Sequence, residues 1–306
     1  MKIESGRMIP TFVIFFREGI EASMIVAILL SYLNRTGQRR YFRDVYLGVA
    51  AAVVLVLGGG IAVFVLVDQY DGSNVQTYFE TFTYLIAAAA LTYMTFWMQG
   101  HAKTLTKELE KRSDMALSKG KRVGLSALAF QAVGREGVET MVFTLAIVFA
   151  STKQAATPIH GKFLLIGAAL GLVVAFSLAF AIYRLGARLN LRRFFEILGA
   201  LLMVFAAGLL ADAVENLQQL GWLSFGRGVL WNTSGFLSEG SSFGDVLHSL
   251  IGYAERPTVL QAAVWIIYVG SSIFAFTTMS RKGAEANRTL SPSYAKGDSA
   301  TIMVDK

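Results

Sequence analysis

The sequence predicts an all-α polytopic membrane protein: seven transmembrane helices, built as a 3+3 inverted-topology repeat plus one extra helix. Three observations predict it. Of the 306 residues, 54% are hydrophobic and the mean hydropathy is +0.52, too apolar for a soluble enzyme of this length. The apolar residues fall in seven blocks of about 20 or more residues, the length a helix needs to cross roughly 30 Å of hydrocarbon. And a charged motif inside the first block, Arg17-Glu18-Gly19-Ile20-Glu21, returns inside the fourth as Arg135-Glu136-Gly137-Val138-Glu139.

The predicted spans are 8–33, 44–67, 77–99, 123–150, 161–183, 194–217 and 259–279. Their orientation follows from the distribution of Lys and Arg among the connections. Segments 34–43, 100–122, 184–193 and the tail after 279 hold twenty basic residues, whereas the N-terminus, 68–76, 151–162 and 218–258 hold six. Basic loops stay in the cytoplasm, so the N-terminus lies outside and the C-terminus inside. The net charge of +7 is thereby explained by topology, and nucleic acid is not an expected partner. The first block carries Arg17, Glu18 and Glu21, which the apolar core of a signal peptide would not. With no cysteine in the chain, disulfides, thiolate metal sites and thiol redox chemistry are excluded.

The membrane domain is expected over 1–280, with repeat halves at about 8–99 and 123–217 and the seventh helix at about 259–279. The polar tail 281–306 is expected to be disordered and cytoplasmic. The first span runs outside to inside and the fourth inside to outside, so the two motifs sit on antiparallel helices. A second correspondence supports the repeat. The third span opens Tyr78-Phe79-Glu80 and reaches an Ala-rich middle at 87–90; the sixth opens Phe194-Phe195-Glu196 and reaches Ala206-Ala207-Gly208. Inverted halves with a site at the midplane are a common transporter plan.

Two connections carry helical patterns of their own. The inner loop at 103–122 mixes Lys and Glu at helical spacing and predicts a solvated helix. In the outer connection 218–258, Phe243, Val246, Leu247, Leu250 and Ile251 follow Ser241 and Ser242 as caps, predicting a short helix at the outer interface. Its apolar face is expected to pack inward, with docking of an external partner as the alternative.

Charge at bilayer depth costs roughly 2.5–3.5 kcal/mol per residue on insertion scales, so a chain that accepts it twice at one spacing uses it. Residues three apart share a helix face, so Glu18 and Glu21 point together, as do Glu136 and Glu139. Opposed across two helices, the four carboxylates suit a hard cation, which prefers oxygen ligands. Arg17 and Arg135 stand four residues before Glu21 and Glu139 and can pair with them along the helix. Gly19 and Gly137 remove bulk and permit close helix approach. The alternative is that each motif is an internal ion pair fixing helix register.

Asp212 and Glu215, again three apart, are candidates for an entry site near the outer end of the sixth span. Glu80 and Glu196 hold matching places in the two halves and are gate candidates; a helix-start glutamate favoured by the macrodipole is the alternative. His101, His160 and His248 are expected at the surface, and Met24, Met94, Met98, Met141 and Met203 in apolar packing.

The paired R-E-G-[IV]-E motif in a seven-span chain resembles the signature of the oxidase-dependent iron permeases, the family of the fungal high-affinity iron permease and the bacterial Efe-type uptake permeases. The resemblance extends to Trp97-Met98 before the basic loop, and to Trp231, Asn232, Thr233, Ser234 and Gly235 followed by Leu250-Ile251-Gly252-Tyr253. It implies Fe(III) translocation through glutamates matching Glu18, Glu21, Glu136 and Glu139, with iron as cargo and no other cofactor. It also implies an external iron-oxidising or iron-delivering partner: a multicopper oxidase, haem peroxidase, cupredoxin-like or periplasmic iron-binding protein. Short loops favour the bacterial branch and a multi-pass place in the cytoplasmic (inner) membrane. A homo-oligomer is left open. A transporter of lead or manganese is the runner-up. An intramembrane di-metal oxidase ranks below it, because such sites combine Glu with Glu-x-x-His and no histidine neighbours either motif.

Overall fold

The computed structural model describes residues 8–68, 73–101, 105–118, 122–152, 162–185, 191–239 and 241–289. Long helices stand at all seven predicted positions: α1 Met8–Arg35, α2 Phe42–Asp68, α3 Asn74–His101, α5 Arg122–Thr152, α6 Lys162–Leu185, α7 Leu191–Gln219 and α9 Val259–Thr289. Two shorter helices occupy the connections, α4 Leu105–Ser118 and α8 Ser242–Ile251. Among the described residues, four helical segments suffice by length and composition to cross a membrane: Arg39–Leu66, Asn74–Met98, Lys162–Ala181 and Glu196–Gln219. This is a multi-pass membrane protein. Helices α1 and α5 are as long, but each interrupts its apolar run with an arginine and two glutamates.

The chain divides into two compact units, Met1–Trp265 and Ile266–Lys306. The first contains both motif helices and their partners. In the second, α9 runs on to Thr289, nine residues into the segment expected to be disordered. Ala284, Glu285, Ala286 and Arg288 are good helix formers, so a polar composition does not stop the helix there. The rest of the predicted tail, 290–306, lies outside the described residues, as does His160.

Packing within the first unit pairs α1 with α6, α2 with α5, and α3 with α7. Exchanging the two halves (α1–α3 for α5–α7) leaves those three pairings unchanged. Glycine sets the approach in each. A Cβ on Gly167 or Gly171 of α6 would run into the Met8 or Phe12 carbonyl of α1, and one on Gly48 of α2 into the Ser126 carbonyl of α5. The order of these contacts makes α1 parallel to α6 and α2 parallel to α5. Helices α3 and α7 run antiparallel, with Thr95 against Gly199 at one end and Tyr78 against Trp222 at the other. A cluster of Leu29 and Leu33 with Leu125 and Ala129 packs the C-terminal end of α1 on the start of α5. These two helices are therefore antiparallel, as their motifs required.

Burial separates an inner set from an outer one. In its most apolar window α7 is 72% buried and α3 50%, against 22% for α6 and 6% for α2. The apolar outer faces of α2 and α6 are what lipid would cover. Met94, Met98 and Met203 are buried in apolar packing, as expected.

Two sequence expectations are corrected. Helix α4 is not a fully solvated helix: Leu109 and Ser113 are buried, and it packs on α1 and α5. Helix α8 has the predicted Ser241 cap, which accepts from Gly244 N at 3.0 Å, and ends at Gly252 in the left-handed region. But α8 is turned the other way round. Asp245, His248 and Ser249 are buried, while Phe243 is 65% exposed. Its polar side faces the protein, held close by the glycine pair Gly208–Gly252, where a Cβ on Gly208 would meet Gly252 Cα at 2.7 Å.

Candidate metal centre

The first motif lies in the middle of α1 and is sealed. Arg17 and Glu18 are 3% exposed and Glu21 is 5% exposed. Arg17 Nη1 donates to Glu18 Oε1 at 2.5 Å, and its Nη2 stands 3.2 Å from Glu21 Oε1. One guanidinium thus serves both carboxylates of its own motif. Gly19 lets α6 close over the back: a Cβ there would sit 2.9 Å from Ala175 Cβ.

The second motif has the same local layout in a more open setting. Arg135 Nε donates to Glu139 Oε1 at 3.1 Å, the predicted i,i+4 pair. Glu136 is buried, but the Arg135 side chain is 41% exposed and that of Glu139 17%. Arg135 lies over the Trp97 ring at 5.1 Å from its centroid, a cation–π contact supplied by α3. Gly137 opens the way for α2, since a Cβ there would sit 2.7 Å from Val56 Cγ2.

The antiparallel crossing brings the two motifs together. Glu18, Glu136 and Glu139 each place a carboxylate oxygen within 4.8 Å of the others. Glu21 completes the neighbourhood, within electrostatic reach of Glu139 and Arg135. Three of the glutamates also keep one buried oxygen with neither a hydrogen bond nor an ion pair, Glu18 Oε2, Glu136 Oε2 and Glu139 Oε2, whereas Glu21 Oε1 has only the Arg17 ion pair. Buried polar atoms are almost always satisfied, so three orphan acceptors at one crossing are atypical of a purely structural ion-pair cluster. Carboxylates this close repel unless a cation lies among them. The donor set is entirely oxygen, which suits a hard ion.

The secondary candidates divide. Asp212 and Glu80 are buried and Glu215 is partly so. Glu215 accepts from Gln219 Nε2 at 3.0 Å and from Gln261 Nε2 at 3.3 Å, and Glu80 from Gln76 Nε2 at 3.0 Å. All three are within electrostatic reach of the buried Tyr84. Glu196 does not join them. It precedes Gly199, at the opposite end of the antiparallel α3–α7 pair.

His248 is not at the surface, as the sequence led one to expect. It is 9% exposed, with Nδ1 hydrogen-bonded to the Tyr253 carbonyl at 2.8 Å and Nε2 3.9 Å from Asp212 Oδ1. Burial alone would lower its pKa. The charge of Asp212, the Tyr253 carbonyl, Glu239 and Glu215 outweigh that and hold it above the ordinary value. Nothing in the residue pattern marked His248 or Trp97 as neighbours of the acids. The nearest signal for Trp97 was its place just ahead of the basic loop, near the end of α3.

The iron permease FTR1 family matches residues 8–286 of this chain. The ferrous iron permease EfeU of Escherichia coli O6:H1 is 35% identical over 285 residues, spanning 92% of this chain and 100% of that protein. The protein of the same name from Shigella sonnei is 36% identical over 284 residues, with 92% and 100% covered. That from Yersinia pestis is 35% identical over 279 residues, with 90% and 96% covered. No solved structure matches the chain.

Proposed function

The chain belongs to the iron permease FTR1 family, and from that premise we propose that it takes up iron through the crossing of α1 and α5. The observation that carries the site is the set of three buried, unpartnered carboxylate oxygens of Glu18, Glu136 and Glu139, residues that each place a carboxylate oxygen within 4.8 Å of the others. A cation at the crossing would satisfy all three at once, with Glu21 beside them. Arg17 and Arg135 reduce the formal charge of the glutamates from four negative to two. A ferric ion bound there leaves the site with a small positive charge, which limits affinity and lets the ion leave. The seven-span layout, with the N-terminus outside and the C-terminus in the cytoplasm of a bacterial inner membrane, rests on the basic connections. The exchange-invariant pairing of α1–α6 with α2–α5 supports two inverted halves that rearrange around a midplane site.

Uptake of labelled iron into cells or proteoliposomes tests the site. Glu18→Gln, Glu21→Gln, Glu136→Gln and Glu139→Gln should each reduce transport to background while the protein still reaches the membrane. Wild-type uptake by Glu18→Gln or Glu136→Gln would remove the site.

The ferric state is favoured by the all-carboxylate donor set, and external oxidation or delivery by a partner follows from it. The ferrous state is the second reading, because the curated relatives are named ferrous iron permeases. Uptake by proteoliposomes without any partner protein, from ferric citrate or from ferrous iron kept reduced by ascorbate, separates the two. Uptake from the ferrous supply alone selects the second. Competition by manganese and lead in the same assay sets the cargo range.

A further inference from the structure

The halves of the molecule match in three helix pairings and part company in a fourth. Helix α3 packs against α5, but its repeat counterpart, α7 against α1, is at most a marginal contact. At the contact that is present, α3 against α5, stands Trp97, whose ring lies under the Arg135 guanidinium. In the register that matches Glu80 to Glu196, the counterpart of Trp97 is Ala213, which offers no aromatic face.

The consequence appears in the ion pairs. Arg17 binds both Glu18 and Glu21. Arg135 binds Glu139, and among the described residues no ion pair joins it to Glu136. On the second side, the indole stands where the first side uses a carboxylate. Guanidinium stacks on aromatic faces as well as pairing with carboxylates, so the two partners can substitute for each other.

We infer that Trp97 is a positioning residue for the cargo: by holding Arg135 on its ring and against Glu139, it keeps Glu136 free to bind the cation. The inference rests on the glutamate site proposed above. Without the ring, the half-exposed Arg135 side chain turns to the neighbouring carboxylate and competes with iron for it.

The test is concentration-dependent uptake of labelled iron by the full chain carrying Trp97→Leu, Trp97→Met, Trp97→Phe or Trp97→Tyr, scaled to the protein present in the membrane, beside Glu18→Gln. Leu and Met should raise the half-saturating iron concentration by about three- to tenfold with the maximal rate held, the range expected for losing a cation–π contact and one free ligand. Phe and Tyr should restore most of the affinity. Equal behaviour of Met and Phe would mean the residue only fills space, and overturns the inference. So would wild-type affinity in Leu, or a change confined to the maximal rate. If Leu does not accumulate, the Met and Phe pair decides alone. Background uptake by Glu18→Gln together with wild-type affinity in the Trp97 variants removes only the role of Trp97. Normal uptake by Glu18→Gln removes the site beneath it.

Discussion

The two motif copies share four of five residues and differ in nearly everything around them. Around the first, α6 closes over Gly19, and Arg17, 4% exposed in its side chain, is consumed by two carboxylates. Around the second, the Arg135 side chain is 41% exposed, with one carboxylate and one indole for partners. A short motif fixes spacing along a helix, and hence which side chains share a face. It does not fix charge partners, which come from neighbouring helices. The first copy is sealed, and the second is open on one side, the side by which the proposed cargo would reach the crossing.

The arginines are where that contrast should break most visibly. Arg17→Met strands two buried carboxylates without a counter-charge, at a cost of about 3–5 kcal/mol for breaking a buried pair. Arg135→Met removes a partly solvated partner, and exposed ion pairs contribute about 0–1 kcal/mol. The thermal midpoint of purified protein should fall by several degrees for Arg17→Met and barely move for Arg135→Met. Equal losses, or a larger loss for Arg135→Met, would erase the distinction between a sealed and an open motif.

The glycines sharpen it further, with a smaller effect. Overpacking costs about 1–3 kcal/mol, depending on whether the neighbour can move. At Gly19 an added methyl meets Ala175 Cβ, which has no rotamer to change and lies in a buried seam. At Gly137 it meets Val56 Cγ2, a branched side chain on α2, which is less buried than α3, α6 or α7. Gly19→Ala should therefore lower the thermal midpoint more than Gly137→Ala. The reverse order would show that α2 is held as firmly as α6.

Much of this architecture was written in the sequence. All seven long helices appear where apolar length and charge interruptions placed them, because a span is a local property of about 20 residues. Both i,i+4 pairs, Arg17–Glu21 and Arg135–Glu139, were legible for the same reason. The antiparallel meeting of the motifs was also within reach, since three connections, an odd number, lead from the first span to the fourth. Trp97 and His248 were not legible in this way. Each touches its partner from a different helix, and the rotation of one helix against another leaves no mark in a single sequence. Helix α8 shows the limit clearly. Its apolar periodicity was real, but which side faces the protein depended on Asp212 waiting on α7. Helix α4 departed from expectation for the same reason, since a charged helix can still bury Leu109 and Ser113 against its neighbours.

The smallest expected effect lies in the outer segment. His248 on α8 faces Asp212 and Glu215 of α7, with Glu239 and its own helix neighbour Asp245 alongside, and its pKa is held above the ordinary 6.5. A histidine with a raised folded-state pKa adds stability that is complete below its unfolded pKa. That stability is lost as pH rises through the folded value. The attachment of α8 should therefore loosen from about pH 6.5 upward. The thermal midpoint of wild-type protein should fall over that range more steeply than that of His248→Gln, which cannot titrate. Parallel curves for the two proteins would mean that the Asp212–His248 contact contributes nothing to holding α8.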